Sequence, residues 1–215
     1  MTNFIPIFPL EIVVYPEEQL NLHIFEPKYI QLINECIEEN KPFGIPVVLD
    51  KKIQQYGVLI EIEELVERKD SGEMNIRTRC KQIFNILEVV KEIPDKLYSG
   101  AIVSYPENNT QKGDSKIAQL IIEEVHKLYK LLNVEDKFPV KGEEDILSYT
   151  IAHYIGLSKE QEYELLTLFA EMQRLEYIRR HLKEIAPMLQ ELESMKARIK
   201  LNGHFRNLSL DDLDI

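Results

Sequence analysis

The hydrophobic pattern of this 215-residue chain changes once, at a polar stretch that separates two halves of different character. Pro106 to Asp114 (PENNTQKGD) contains no apolar side chain. Before this stretch apolar residues alternate with polar ones, as in β-strands, and after it they recur every three or four positions, as in helices. We therefore predict a β-rich domain at residues 1–107 and a helical domain at residues 114–203. A flexible acidic tail is predicted at residues 204–215.

Six or seven short strands and one inserted helix are predicted in the first half. The helix should begin at Glu26-Pro27, because proline suits the first helical position. Gly57 predicts a bulge or a close approach of two backbones, and Asp70 to Glu73 (DSGE) predicts a turn between strands. Many short strands favour a closed or nearly closed barrel. The apolar face of the helix is expected to bury Tyr29, Ile30, Ile33 and Ile37.

The second half is predicted to be helical almost throughout, with helices at residues 115–132 and 145–155 and a third that is capped by Ser158. A long last helix carries a stripe of apolar residues in which Pro187 predicts a kink or a split near residues 184–186. The stripe favours a packed face of a local bundle, and an intermolecular coiled coil is the alternative. Its members are Leu175, Ile178, Leu182, Ile185, Leu189 and Leu192.

Charge and cysteine content narrow the possible environments and partners of the chain. The formal net charge is −11, and both halves are acidic, which argues against binding nucleic acid or anionic membranes. Cys36 and Cys80 form no CxxC motif and are predicted to be buried apolar fillers. The amino terminus lacks the features of a signal peptide, and no apolar run approaches the roughly 20 residues of a membrane span. We expect a cytoplasmic protein.

No motif for catalysis, cofactor binding or metal binding stands out. The eight glycines form neither a P-loop nor a GxGxxG motif, and HExxH and GxSxG are absent from the sequence. The five histidines are scattered; His153 and His181 could meet in the helical half, where a hydrogen-bonded structural role is favoured over a metal site. We therefore predict no catalytic residue, no cofactor and no metal.

The stretch from Ile5 to Ile33 resembles the opening of the Lon amino-terminal domain family. The resemblance lies in Pro6 to Leu10 (PIFPL), in Tyr15-Pro16, and in Leu22 to Tyr29 (LHIFEPKY). Lys28 stands where the family has arginine. The lysine keeps the positive charge but lacks the planar, forked guanidinium group. Looser similarity continues at residues 75–86 and through the helices, so that it spans most of residues 4–186.

The resemblance implies an α+β fold: a PUA-like β pseudo-barrel with an inserted helix, followed by a carboxy-terminal α-helical bundle. In full Lon proteases this domain helps to recognise unfolded or tagged substrates, and ATPase and peptidase domains follow it. Neither is expected in this chain. The predicted function is therefore that of a non-catalytic module, related to proteolysis, that binds unfolded or exposed peptide segments or a protein partner; homo-oligomers are also considered.

The strand–helix junction in the first half supplies the candidate contact residues for such a partner. They are Tyr15, Pro16, Phe25, Lys28 and Tyr29. Packing in the core is the competing explanation for Phe25 and Tyr29, and open sheet edges offer a second way to bind a peptide. Two other functions remain open: RNA binding, which rests on analogy with other PUA-like barrels, and small-molecule binding in a cleft between barrel and bundle.

Overall fold

Six strands and five α-helices lie in residues 2–109, 115–132 and 147–206, which the computed structural model describes. The strands are β1 (Thr2–Pro6), β2 (Gln19–Ile24), β3 (Phe43–Leu49), β4 (Lys52–Arg68), β5 (Met74–Val90) and β6 (Gly100–Ser104). The helices are α1 (Pro27–Glu39), α2 (Ser115–Leu132), α3 (Leu147–Ile151), α4 (Lys159–Leu166) and α5 (Glu171–Arg206). A 3₁₀ turn at Ala152–Tyr154 follows α3. This combination confirms the predicted α+β fold class.

The strands form an antiparallel sheet in the order β1-β6-β5-β4-β3 that closes on itself. The segment after β1 closes it, because Ile7 and Leu10 make parallel bridges with Gly44 and Val47 of β3. The Phe8 amide donates to the Gly44 carbonyl at 2.8 Å. Closure removes the exposed sheet edges at this position, as expected for a barrel of short strands. The barrel prediction is therefore confirmed.

The two longest strands, β4 and β5, extend the sheet beyond the barrel. They are joined at the predicted turn, where Gly72 adopts a φ of 89° that favours glycine. One edge of β5 pairs with β4, while its other edge pairs with β2 along residues 74–79 and with β6 along residues 85–90. The sheet outside the barrel is thus a ribbon of β2, β5 and β4, in which β2 has β5 as its only strand partner among the described residues.

Phe84 of β5 packs in the barrel interior against two glycines on neighbouring strands. A Cβ atom on Gly57 would lie 2.5 Å from the Ile45 carbonyl oxygen and 2.6 Å from the Phe84 ring. A Cβ atom on Gly44 would lie 2.7 Å from the Ile5 side chain. All three distances are far below van der Waals contact. The two strands β3 and β4 and the Phe84 ring can therefore approach this closely only because Gly57 has no side chain. The close approach predicted at Gly57 is confirmed.

Helix α1 begins at Pro27 and ends at Glu39; the next residue, Asn40, caps it in the left-handed conformation at φ 50°. Its buried residues are Leu32, Ile33 and Cys36. The predicted face is therefore only partly right: Ile33 is buried, whereas Tyr29, Ile30 and Ile37 are only half-buried. Ile37 lines an open groove of about 340 Å³ beside β4. Burial raises the pKa of the Cys36 thiol to about 12 and also raises that of Cys80. Both cysteines are free and buried, which confirms their predicted role.

The polypeptide divides into two units that do not follow the chain order strictly. Residues 1–110 group with residues 157–170, and residues 111–156 group with residues 171–215. Helix α4 therefore belongs to the barrel unit, where the Tyr15 hydroxyl donates to the Glu162 carbonyl at 3.1 Å. The predicted cap of α4 is confirmed, since the Ser158 hydroxyl accepts from the Gln161 amide. Part of the predicted boundary, residues 110–114, lies outside the described residues.

In the helical unit α2 packs against α5, with Ile121 and Val125 of α2 buried beside the stripe of α5. The predicted bounds of α2 are confirmed. Of the helix predicted at residues 145–155, residues 145–146 lie outside the described residues, and α3 ends at Ile151, where the 3₁₀ turn follows. Pro187 lies inside a continuous α5, so the predicted split does not occur. Pro187 and Lys183 are exposed, so water can satisfy the carbonyl left without a partner by the proline. Residues 204–206 belong to α5, and residues 207–215 of the predicted tail lie outside the described residues.

We expect Gly57→Ala to lower the free energy of unfolding by about 2–3 kcal/mol, because the added methyl group meets backbone atoms that cannot yield. Gly44→Ala should cost less, about 1–2 kcal/mol, because its methyl group meets only side-chain atoms, the end of Ile5 at 2.7 Å and the Phe84 ring at 2.9 Å. Urea denaturation monitored by circular dichroism measures both values. Equal losses for the two variants would contradict the close backbone approach at Gly57.

Glu35 on α1 anchors the loop between β5 and β6 and makes the stability of the barrel unit sensitive to pH. Its carboxylate accepts from the Tyr98 hydroxyl and, at 2.7 Å, from the Lys96 ammonium. Burial acts to raise the pKa of Glu35, but the hydrogen bonds from Lys96 and Tyr98 outweigh it and lower the pKa. The stabilisation is therefore complete above the unfolded pKa of about 4.3 and is lost as the pH falls through the lower folded value.

The variant Glu35→Gln should accordingly be less stable than the wild type by about 1 kcal/mol at neutral pH, and the difference should vanish on acidification. Urea titrations at a series of pH values measure it. Glu38→Gln on the exposed side of the same helix is the matched control and should show no such loss. A difference between Glu35→Gln and the wild type that persists unchanged in acid would refute the role assigned to the Glu35 carboxylate.

Candidate functional site

Two of the five predicted contact residues, Tyr15 and Pro16, lie in the interior of the barrel unit. Tyr15 is only 1% exposed and holds α4 through its hydroxyl, and its backbone amide donates to Glu18 Oε2 at 2.9 Å. Pro16 is buried beside it. Their positions favour a role in packing, since a partner cannot reach them in the folded chain.

The other three predicted residues lie at the junction of β2 and α1. The Tyr29 ring stacks on the buried Phe8 ring with centroids 3.9 Å apart, so it is partly committed to the core. The Lys28 ammonium lies 4.5 Å from the centre of the Tyr29 ring and forms an ion pair with Glu26 at 3.0 Å. That hydrogen bond to Glu26 raises the pKa of Lys28. Lys28 and Tyr29 therefore form one contact pair at the start of α1.

Phe25 is the most accessible of the five residues, with 60% of its surface exposed. Its ring stacks on the exposed His23 ring at a centroid distance of 5.8 Å. The His23 Nδ1 atom is in turn 2.8 Å from Asn75 Oδ1 on β5. An aromatic ring this exposed, at the end of a strand, is available for contact with a partner.

A second accessible surface, which the sequence did not predict as a site, is an apolar groove of about 390 Å³ in the helical unit. Its rim includes Met188, which is 68% exposed, and Tyr154, which is 42% exposed. The Tyr129 hydroxyl donates to the Tyr154 carbonyl at 2.9 Å and joins two parts of the wall. The lining residues are Val125, Leu128, Tyr129, Leu132, Tyr154, Ile155, Gly156, Leu182, Ile185, Met188 and Leu189.

The groove is formed by the second half of the predicted stripe on α5. Leu175, Ile178 and Leu182 are buried, as expected for a packed face. Ile185 and Leu189 continue the same stripe, yet both are only half-buried and line the groove. The prediction of a local packed face is therefore confirmed for the first half of the stripe. Its second half remains accessible, and Leu192 has no described side chain.

His181 fixes the wall of the groove. It is buried, and its Nε2 atom donates to the Ile155 carbonyl at 3.0 Å. This confirms the hydrogen-bonded structural role predicted for His181. In the three described ranges, no cluster of three His, Cys, Asp or Glu residues is arranged to hold a metal ion. Over the same part of the chain, no helix combines the length and the apolar character that a membrane span requires.

Comparisons with known proteins agree with this architecture. The family model of the ATP-dependent protease La (LON) substrate-binding domain matches residues 5–184. The chain belongs to this family. A comparison with curated proteins finds no matching sequence.

Two solved structures share the fold of this Lon substrate-binding domain. The Lon N-terminal domain protein from Xanthomonas campestris is 22% identical, with a TM-score of 0.60, and the match covers 81% of this chain and 95% of that one. The N-terminal domain of the Mycobacterium avium complex Lon protease is 15% identical, also with a TM-score of 0.60, and the match covers 84% and 98%. At these identities the similarity establishes the fold alone.

A buried charged cluster holds α3 against α5 in the helical unit of this Lon domain. Arg174 is 0% exposed, and its guanidinium bonds to Glu171 Oε2 at 2.9 Å and to the Ser148 hydroxyl oxygen at 2.9 Å. Glu171 also accepts from the Ser148 backbone amide at 3.0 Å, and the Arg174 guanidinium lies 4.2 Å from the centre of the Tyr149 ring. A buried ion pair of this kind is stable only when its remaining hydrogen-bonding groups are satisfied.

Removal of the Glu171 carboxylate should be strongly destabilising, because it leaves the Arg174 charge buried without its counterion. We expect Glu171→Ala to lower the free energy of unfolding by about 3–5 kcal/mol. The exposed Glu176–Arg179 pair on the same helix has the same sequence spacing, and Glu176→Ala should cost far less because solvent screens an exposed pair. Chemical denaturation measures both; similar losses for the two variants would show that the buried cluster contributes little.

Proposed function

We propose that this Lon-family chain is a non-catalytic module that binds exposed apolar segments of unfolded or tagged proteins. The observation that carries the proposal is the apolar groove in the helical unit, together with membership of a family described as the substrate-binding domain of an ATP-dependent protease. A segment released from the core of an unfolded protein exposes apolar side chains that such a groove can remove from water.

The groove has the size and chemistry of a site for a few apolar side chains. Its volume of about 390 Å³ lies within the roughly 300–1,000 Å³ of typical ligand sites. None of its described lining residues is charged, so an apolar segment would bind without burying an unpaired charge. Met188 adds a flexible and polarisable side chain, which suits partners of varied shape.

RNA binding receives less support from the surface of the barrel unit. The cations on the outer face of β5 are each paired with a glutamate of β4: Arg77 with Glu64 at 2.5 Å, Arg79 with Glu63 at 2.5 Å, and Lys81 with Glu61 at 3.2 Å. Phosphate binding would have to displace these carboxylates in a chain of net charge −11. A protein partner is therefore the better-supported ligand.

A charge placed in the groove tests the proposed function. We expect Met188→Glu to weaken the binding of a short fluorescein-labelled peptide rich in Leu and Phe by about tenfold, which corresponds to about 1.4 kcal/mol. The variant should fold normally because Met188 is largely exposed. Fluorescence anisotropy measures the affinity, and circular dichroism checks the fold.

Met195→Glu is the matched control for this experiment. It places the same charge on the same helix at a side chain that is 61% exposed and that does not line the groove. It should leave the affinity unchanged. An equal loss in both variants would point to general charge repulsion, and an unchanged affinity in Met188→Glu would exclude the groove as the binding site.

A further inference from the structure

Strand β2 has one edge that pairs with no other strand among the described residues. All six of its residues pair in regular antiparallel register with β5, from Gln19 opposite Arg79 to Ile24 opposite Met74. In the described part of the chain no other strand or bridge joins β2. Gln19, Asn21 and His23 are exposed residues, as expected for an edge that is open to solvent.

The hydrogen bonds to β5 indicate which backbone groups of β2 point outward. The Cys80 amide donates to the Glu18 carbonyl at 2.9 Å, which places Glu18 at a position bonded to β5. Bonded and non-bonded positions alternate along an antiparallel pair. Leu20 and Leu22 therefore bond to β5, while the amide and carbonyl groups of Gln19, Asn21 and His23 point to the open edge.

Residues 61–68 of β4, beyond the part that pairs with β3, also have no second strand partner among the described residues. Their sequence, however, disfavours pairing with another chain. The register of β4 with β5 shifts between Ile62 and Glu64 and again between Leu65 and Glu67, which marks two bulges. Its residues 61–67 carry four glutamates. Bulges and charges are the devices that keep sheet edges from pairing with other chains. The free edge of β2 has neither a bulge nor a charged residue nor a proline within Gln19–Ile24.

The chemistry of this edge determines what can occupy it. A row of unpaired backbone donors and acceptors is complementary to another extended backbone, and the exposed Phe25 ring at its end offers contact to an apolar side chain. A second copy of this chain would bring together two molecules of net charge −11, whereas a neutral or basic segment would meet no such repulsion. Charge complementarity therefore favours a neutral or basic peptide.

We propose that the free edge of β2 binds an extended, neutral or basic peptide segment of a client protein as an additional β-strand, with Phe25 contacting a side chain at its end. The inference rests on the proposed function and adds a second binding site, in the barrel unit, for the same class of ligand. Recognition at this edge depends on the backbone of the client and on a single apolar contact, so it tolerates many sequences.

The variant Asn21→Pro tests this proposal, because it removes an outward amide without removing a bond to β5. Proline is tolerated in an edge strand when its nitrogen faces solvent. The probe is a fluorescein-labelled peptide of Val and Thr residues with Lys at both ends. We expect Asn21→Pro to weaken its binding by at least about tenfold, whereas Asn21→Ala, which keeps the amide, should bind like the wild type.

Amide hydrogen exchange of the unmodified protein provides a second measurement that does not depend on the folding of a variant. Addition of the peptide should slow exchange at Gln19, Asn21 and His23, while Leu20 and Leu22 should be protected before the peptide is added. Unchanged exchange at the three outward amides, or equal peptide affinities of Asn21→Pro and Asn21→Ala, would overturn strand addition at β2.

The same set of proteins separates this inference from the proposed function. Asn21→Pro should still bind the Leu- and Phe-rich peptide, and Met188→Glu should still bind the Val- and Thr-rich peptide. If groove binding persists while the β2 tests fail, only the strand addition is wrong. If the wild type binds neither peptide, the proposed function and the strand addition fail together.

Discussion

The pairing of both edges of β5 is the constraint on which the barrel unit depends. This one strand joins β4 along most of its length on one side and holds β2 and β6 end to end on the other. Because β5 has 17 residues and β6 has only five, β5 extends well beyond the closed barrel. The ribbon outside the barrel follows from this difference in length, and so does the free edge of β2.

The barrel itself depends on two positions that carry no side chain. Phe84 fills the interior only because Gly44 and Gly57 leave space where other residues would carry a Cβ atom. The presence of the Phe84 ring in place of two methyl groups is favourable, because one buried aromatic ring makes more apolar contact than two methyl groups would. The helical unit is held by a different interaction, the Arg174–Glu171 pair, whose charges are satisfied by Ser148 and by each other.

Local features of the fold were predictable from the sequence, whereas contacts between distant residues were not. The turn at Asp70 to Glu73, the close approach at Gly57 and the cap at Ser158 each depend on one residue type with a specific backbone property. The burial of Arg174 depends on residues more than 20 positions away, and a Glu–Arg pair three residues apart is usually exposed. The groove was not predicted for a similar reason. The apolar stripe of α5 does not indicate how much of its length another helix covers.

The candidate contact residues illustrate the same limit, because Tyr15 and Phe25 belong to the same stretch of family resemblance, Ile5 to Ile33, but have opposite environments. Tyr15 is buried and bonded to α4, and Phe25 is exposed at the end of an open strand edge. Under the proposed function the domain binds many unfolded clients, so its recognition would not depend on one client sequence. The two proposed sites would both avoid that dependence, since an apolar groove can accept apolar surface of varied shape and a strand edge can pair with the backbone that all clients share.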